Sequence, residues 1–154
     1  MRKTEREIQD RGEIDAIIRR SQVCRLGLSD QGQPYVVPLC FGYDGKALYF
    51  HCALEGKKMD ILQQNDKVCF EFDIVEGMVE ADQACKWGIR YQSVIGFGRA
   101  HLVENATDKE QALSLIMTQY SKRTFSFPAE AMSRTAVVKI KIESLTGKQS
   151  KRQT

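Results

Sequence analysis

The sequence lacks the features that would place it in a membrane or carry it across one. It has no apolar run approaching the roughly 20 residues that a membrane-spanning helix needs. Its first seven residues are mostly charged or polar, so they do not resemble a secretory signal peptide. We therefore expect a cytoplasmic protein with no membrane partner.

The cysteines are odd in number and irregularly placed. There are five cysteines, an odd number, and no two of them form a CxxC pair. A disulfide framework normally uses an even number of cysteines, and a zinc site favours close Cys/His pairs at fixed spacing. We expect reduced thiols, as in the cytoplasm, and no metal site.

Several catalytic motifs are also absent. The sequence contains no G-x-S-x-G elbow, no P-loop and no carboxylate metal motif. Its two histidines, His51 and His101, have no spacing that indicates a Cys/His or Ser/His pair. Gly96 and Gly98 lack the third glycine of a dinucleotide fingerprint, and a β-bulge is the better interpretation. These absences argue against hydrolases and kinases.

An excess of one charge is confined to the C-terminus. The 23 Lys and Arg residues and 20 Asp and Glu residues give a formal net charge of +3. Lys148, Lys151 and Arg152 account for that excess, because no acidic residue follows Glu143. Without these three residues the chain is neutral. This argues against a nucleic-acid-binding protein, because such a protein needs a dense basic face to neutralise phosphates. With 154 residues, we expect a single domain over 1–146 and a basic tail over 147–154.

The periodicity of the apolar residues predicts many strands and few helices. Helical spacing runs from Thr4, which with Glu7 fits a capping box, to about Ser21. A short helix is expected from about Gly56 to Gln64, and another opens at a capping box of Thr107 and Glu110. Alternating or β-branched runs predict six strands, at 23–28, 34–41, 47–53, 67–75, 91–103 and 135–142. Successive strands with peripheral helices indicate a mainly β (α+β) protein, a six-stranded antiparallel barrel.

Two lysines stand where a helix disfavours cations. Lys57 and Lys58 fall in the first turn of the short helix, at the positive end of its dipole, which costs about 0.3–1 kcal/mol per cation. A phosphate would reverse that cost, because it would meet unpaired backbone N–H groups and two ammonium charges together. The alternative is that both side chains point into water.

Two further side chains are candidates for the same site. His51 lies on the preceding strand and could aim into the phosphate pocket, or it could be a structural hydrogen-bonding residue. Ser93 could offer its hydroxyl to a phosphate, although an isolated serine in a strand indicates little by itself.

Five segments over residues 23–103 resemble one family in order and spacing. They are Arg25–Leu28, Pro34–Tyr43, Leu48–Lys58, Asn65–Val68 and Tyr91–Ala100. The sequence is similar to the FMN-binding split-barrel superfamily of pyridoxamine 5′-phosphate oxidases, within its nitroimidazole-reductase branch. The resemblance implies an FMN-binding split barrel and a homodimer with two FMN molecules at the subunit interface.

The resemblance also implies a set of cofactor-binding residues. The strand over Tyr35, Val36, Val37 and Pro38 would run beside the flavin, and His51, Cys52 and Ala53 would touch its ring and ribityl chain. Lys57 and Lys58 would hold the phosphate. Further contacts would come from Tyr91, Gln92 and Ser93, and Trp87 would lie near the ring, from the other subunit.

The sequence departs from the family pattern in two places. Thr146–Thr154 lacks the arginine-containing substrate segment of pyridoxamine 5′-phosphate oxidases, which puts that substrate in doubt. Position 92 is Gln where the branch leads us to expect Arg, so phosphate binding would depend more on the lysine pair.

Three functions follow from this interpretation. The first is an FMN-dependent oxidoreductase, in which reduced flavin, loaded by NAD(P)H or another donor, passes electrons to a small acceptor. That acceptor would be of the nitroimidazole-reductase or pyridoxamine-phosphate-oxidase type, with His51 as a proton donor. The second is a non-catalytic carrier or sensor of flavin or haem, with His51 as an axial haem ligand. The third is a dimeric scaffold with an empty interface.

Overall fold

A single antiparallel sheet organises the protein, and the computed structural model describes residues 4–150 of it. The strands run in the order β3-β2-β6-β7-β8-β5-β4, and β1 pairs with β8. Their bounds are β1 Glu7–Ile8, β2 Cys24–Asp30, β3 Gln33–Leu39, β4 Gly42–Tyr43, β5 Ala47–Ala53, β6 Lys67–Val79, β7 Gly88–Leu102 and β8 Thr135–Gln149. The helices are α1 Arg11–Arg20, α2 Lys57–Gln64, α3 Ala106–Tyr120 and α4 Ala129–Ser133.

The predicted mainly β architecture is confirmed, but over residues 4–150 the sheet has eight strands rather than six. The six long strands occupy the predicted segments of the sequence. The two additional strands, β1 and β4, have two residues each, too few to show an alternating pattern. They form because a distant partner is present, since β1 pairs with the end of β8 and β4 pairs with β5.

Two predicted helix starts are wrong, because in each case another residue caps the helix. α1 begins at Arg11 and not at Thr4, and the Asp10 carboxylate accepts a hydrogen bond of 2.8 Å from the Glu13 amide. α3 is capped by Asn105 rather than Thr107. Three strands are longer than predicted, since β6 continues to Val79, β7 begins at Gly88 and β8 continues to Gln149. Residues 151–154 of the predicted basic tail lie outside the described residues.

The main core lies on one face of the sheet, which we call the inner face. Phe70 and Phe72 of β6 are fully buried there, and the ring of Phe72 lies 4.8 Å from that of Phe41. Ile14, Ile17 and Ile18 of α1 are buried in the same cluster. Residues at alternate positions point to the opposite, outer face, where α3 packs over β5 and Val137 of β8.

The two helices nearest to the candidate site residues lie at different ends of the sheet. α2 follows the end of β5 and packs against β2, whereas the end of α1 reaches Gln92 near the beginning of β7. Among the described residues, no helix is long and apolar enough to cross a membrane.

Candidate functional site

The N-terminus of α2 presents unpaired backbone donors. Gly56, with φ of 127°, precedes the helix, and no side chain in the described part of the chain caps it. Its carbonyl accepts hydrogen bonds from the amides of Met59 and Asp60, at 2.8 and 3.1 Å. Among residues 4–150, the amides of Lys57 and Lys58 have no hydrogen-bond acceptor. The positive end of the helix dipole and two free N–H groups therefore coincide.

Both lysine side chains lie over aromatic rings close to this helix end. The ammonium nitrogen of Lys57 is 4.8 Å from the ring centroid of Tyr35 in β3. That of Lys58 is 5.2 Å from the ring centroid of Phe50 in β5. Contacts of this kind stabilise a cation by about 0.5–1 kcal/mol at exposed sites. The lysine pair is thus held beside the two strands that flank the helix end.

Cys52 is the third predicted residue in this group. Its thiol is half-buried and donates a weak hydrogen bond of 3.5 Å to the sulfur of Met59 in α2. Burial raises the pKa of the Cys52 thiol, and the nearby charge of Lys58 acts in the opposite direction. Because the net shift is upward, the thiol stays protonated at neutral pH and is a poor nucleophile.

His51 does not share a face with Cys52. Successive side chains of a strand point to opposite faces, and Phe50 and Cys52 of β5 point to the inner one. His51 is exposed on the outer face, opposite Val137 of β8, and Ala53 is exposed at the end of the strand. The lysine pair and His51 therefore approach the end of β5 from different sides.

The four predicted flavin-side residues of β3 also lie on two different faces of the sheet. Tyr35 and Val37 are half-buried and pack against the core, whereas Val36 and Pro38 are exposed on the outer face. Of the four, Tyr35 is the residue that contacts the lysine pair.

The remaining predicted residues lie near the other end of β7. Trp87 is half exposed, and its indole N–H donates to the Ala81 carbonyl at 2.6 Å. Tyr91 exchanges hydrogen bonds with Ser150, and the Gln92 side chain accepts a hydrogen bond of 3.3 Å from Arg20. Ser93 stands opposite Asp73 of β6.

A single chain does not bring these two groups together. α2 meets β7 around Ala100–Leu102, where these residues and Met59 line a common small cavity. Ser93 lies seven residues before Ala100, which is about 23 Å along an extended strand. The structure thus separates Lys57 and Lys58 from Trp87, Tyr91, Gln92 and Ser93.

Arg25, in one of the matching segments, is already paired. Its guanidinium forms salt bridges with Glu71, at 3.2 Å, and with Asp73 on the outer face of β6. Burial and the charge of Asp73 raise the pKa of Glu71, while Arg25 acts in the opposite direction. The arginine is therefore committed to these two carboxylates.

Sequence reasoning missed an apolar strip on the outer face. It consists of side chains of β6 and β7 that are 45% to 59% exposed, namely Val75, Met78, Ile89, Ile95 and Phe97. The register places Val75 opposite Tyr91 and Met78 opposite Ile89. The signal was available, because Val94–Phe97 is apolar at both alternating positions, a pattern typical of strands covered on both faces.

Comparisons with known proteins agree on one family. A family model described as pyridoxamine 5′-phosphate oxidase matches residues 10–149. A solved structure from Bacteroides thetaiotaomicron, provisionally described as a 5-nitroimidazole antibiotic resistance protein, is 35% identical, with a TM-score of 0.84. That match covers 93% of this chain and 86% of the other.

More distant relatives show the fold alone. An FAD- and haem-binding protein from Mycobacterium smegmatis has a TM-score of 0.87 at 17% identity, over 96% of this chain and 74% of the other. Among curated proteins, an uncharacterized protein of Rhizobium meliloti is 28% identical over 64 residues. That match spans 42% of each chain, less than half the length of the relative.

Proposed function

The chain belongs to the pyridoxamine 5′-phosphate oxidase family of flavin-binding split-barrel proteins, and on that premise we propose that it binds FMN, with the phosphate at the N-terminus of α2. The observation that carries the proposal is the coincidence of two free amides and two ammonium groups at one helix end. A phosphate dianion satisfies all four groups together.

The residues at this helix end fit a phosphate group. Among residues 4–150, no atom lies within 4 Å of where a Cβ at Gly56 would stand, so the space beside Gly56 is open to a ligand. Arg25 is paired with carboxylates and the Gln92 side chain is neutral and bonded to Arg20, so neither adds a free cation. Phosphate binding within one chain therefore depends on Lys57 and Lys58.

We infer that the protein is an oxidoreductase that transfers electrons to a small acceptor. Bound FMN would supply the redox chemistry, while the chain contributes binding, orientation and the local electrostatic field. His51, exposed on the outer face, is the proposed proton donor for the acceptor. Similarity to a provisional nitroimidazole resistance protein favours nitroaromatic acceptors, with NAD(P)H as a candidate donor.

We also propose that the working unit is a homodimer formed through the outer-face apolar strip. Five large apolar side chains are exposed on this one face, in two groups with Ser93 and Asp73 between them, and such a concentration is typical of an interaction surface. Within one chain, Trp87 and Tyr91–Ser93 lie far from α2. In a dimer, these residues of the second copy would approach α2 of the first. A cytoplasmic location remains a prediction from the sequence.

The phosphate site is tested by comparing two ligands that differ only in the phosphate. We expect the protein to bind FMN more tightly than riboflavin, as measured by flavin fluorescence quenching. Replacing both lysines by alanine, K57A/K58A, removes two charge-assisted contacts and should weaken FMN binding by about 10- to 100-fold. Riboflavin binding should change little. The matched control K46A/K122A removes two exposed lysines elsewhere and should leave both affinities unchanged.

Two results would refute these assignments in different ways. An unchanged ratio of FMN to riboflavin affinity in K57A/K58A would mean that the phosphate does not bind at α2. If FMN binds there but NAD(P)H oxidation is absent with nitroaromatic, quinone and pyridoxamine phosphate acceptors, the carrier function would replace the oxidoreductase. A haem absorption band in the purified protein would favour the haem-binding form of that carrier.

A further inference from the structure

A second cavity lies apart from the proposed flavin site. It has a volume of about 650 Å³ and lies between α3 and the outer face of β5, β7 and β8. Small-molecule sites usually occupy about 300–1,000 Å³, so the cavity is large enough for a metabolite. None of its lining residues belongs to the predicted cofactor-binding set.

The sheet side of the cavity carries an aromatic ring and basic groups. His101 of β7 and Tyr49 of β5 both stand opposite Lys139 of β8, so the three form one row on the outer face. The ammonium nitrogen of Lys139 lies 5.6 Å from the ring centroid of Tyr49. The row offers a ligand a cation and the ring N–H of a histidine.

One carboxylate on the sheet side is fully engaged. Asp44 accepts hydrogen bonds from the amides of Lys46 and Ala47, at 2.7 and 2.6 Å, and from the Tyr49 hydroxyl at 2.9 Å. Burial and the bond to Asp44 raise the pKa of Tyr49 to about 12, so the hydroxyl stays protonated as the donor. Asp44 therefore positions the ring and has little capacity left for a ligand.

The helix side of the cavity carries acidic and apolar groups. Asp108, Gln111, Ala112 and Leu115 follow the i, i+3, i+4, i+7 spacing of one helix face. Glu104 lines the cavity just before the helix. Asp108 and Glu104 are exposed, and among residues 4–150 neither side chain forms an ion pair or accepts a hydrogen bond.

Opposite charges thus line one cavity without a close ion pair, although Lys139 and the engaged Asp44 carboxylate attract each other at longer range. No ion pair within 4.0 Å in the described part of the chain includes Lys139, His101, Glu104 or Asp108. A ligand with separated charges would satisfy both sides simultaneously, whereas a simple cation or anion would satisfy one and face repulsion from the other. Leu115, Ala112 and Val103 add an apolar surface between them.

From this arrangement we propose that the cavity binds a small zwitterion, an α-amino acid or short peptide with an apolar side chain. The ligand carboxylate contacts Lys139 and His101, its ammonium group contacts Asp108 and Glu104, and its side chain packs on α3. The site is independent of the flavin proposal, since the two share no residue.

The proposal is tested with four probes that carry the same side chain and different charges. They are L-phenylalanine, the cationic phenylalaninamide, the anionic N-acetylphenylalanine and the neutral N-acetylphenylalaninamide. Binding to the purified full-length protein is measured by calorimetry, and the contacted residues are located by NMR chemical-shift changes. We expect L-phenylalanine to bind at least about tenfold more tightly than each of the others, with shifts at Tyr49, His101 and Leu115.

Variants test which side of the cavity contacts the ligand carboxylate and which side contacts its ammonium group. Lys139→Met should weaken phenylalanine and N-acetylphenylalanine binding about tenfold and leave phenylalaninamide unchanged. Asp108→Asn should weaken phenylalanine and phenylalaninamide and leave N-acetylphenylalanine unchanged. The controls are Lys141→Met, the next outer-face lysine of β8, and Glu110→Gln on α3, because neither residue lines the cavity. Thermal unfolding checks that each variant is folded.

Two results would overturn the proposal. The first is the absence of saturable phenylalanine binding up to its solubility limit. The second is equal binding of the four probes, or shift changes that map outside the cavity. Loss of FMN binding in K57A/K58A with unchanged phenylalanine binding would separate the two sites experimentally.

Discussion

The ammonium group of Lys57, on the first residue of α2, lies over the ring of Tyr35 in β3, with 4.8 Å between the nitrogen and the ring centroid. This contact joins the helix end to an edge strand of the sheet. It holds the most exposed cation of the proposed phosphate site in place before any ligand binds. The Lys57 side chain therefore loses less conformational freedom when a ligand binds, which makes binding more favourable.

Removing the Tyr35 ring should weaken FMN binding without removing a charge. Tyr35→Leu abolishes a cation–π contact of about 0.5–1 kcal/mol, so we expect a two- to fivefold higher FMN dissociation constant by fluorescence titration. Tyr35→Phe keeps the ring and should bind FMN like the unmodified protein. Equal affinities of the Leu and Phe variants would show that the ring does not position Lys57.

Gly96 should be intolerant of even one added methyl group. A Cβ at this position would lie 2.3 Å from two ring atoms of Phe70 and 2.8 Å from Leu145. Phe70 is fully buried, so its ring can move aside only by displacing other core side chains. We expect Gly96→Ala to lower the free energy of unfolding by about 1–3 kcal/mol, measured by urea denaturation.

Gly88 of the same strand provides the matched control for Gly96. A Cβ there would meet nothing within 4 Å, so Gly88→Ala should change stability by less than about 0.5 kcal/mol. If both variants unfold at the same urea concentration, the close packing of Gly96 against Phe70 would be contradicted.

The long strands could be predicted because their information is local. Alternation in segments such as Lys67–Val75 reflects one buried and one exposed face, and the structure confirms it. β1 and β4 could not be predicted, because two residues show no period and their pairing partners are distant in sequence. The start of α3 was misplaced because two capping signals compete, and Asn105 accepts bonds from both Thr107 and Asp108.

The sequence predicts which kind of ligand the candidate site would bind, but not how its residues are arranged in space. Lys57 and Lys58 are cations in the first turn of a helix, so the local sequence alone indicates an anion-binding site. Sequence order does not show that β7 places Ser93 far from α2, since that depends on sheet order and register. It also does not show that Lys57 and Lys58 would lie over the rings of Tyr35 and Phe50.

Acid should reduce the stability contributed by Asp44. Burial raises the pKa of this carboxyl. Hydrogen bonds from Lys46, Ala47 and Tyr49, together with the charge of Lys139, outweigh that effect and leave the pKa below its ordinary value of 3.8. Because the folded-state pKa is depressed, the contribution is present above the unfolded pKa and is lost as pH falls through the folded one. It should therefore persist at neutral pH and disappear in strong acid.

Asp44→Asn provides the measurement. The difference in unfolding free energy between the unmodified protein and this variant should be constant at neutral pH and shrink below about pH 4. Asp82→Asn, at an exposed loop position, should give no such pH-dependent difference. A difference for Asp44→Asn that stays constant down to about pH 2 would mean that its hydrogen bonds do not favour the charged carboxylate.

A charge in the outer-face apolar strip should dissociate the proposed homodimer. Phe97 is 54% exposed in one chain, and a two-fold interface would bury it in both copies, so Phe97→Glu introduces two unpaired carboxylates. We expect the dimer dissociation constant to rise by about 30-fold or more in sedimentation equilibrium. Val23→Glu, which charges an exposed apolar residue outside the strip, should leave association unchanged.

The Phe97→Glu variant also tests whether the cofactor site is shared between two subunits. Because Trp87 and Tyr91–Ser93 would come from the partner, FMN affinity should fall in Phe97→Glu as the dimer dissociates. An unmodified protein that stays monomeric at micromolar concentration yet binds FMN with full affinity would show that one chain forms the cofactor site alone.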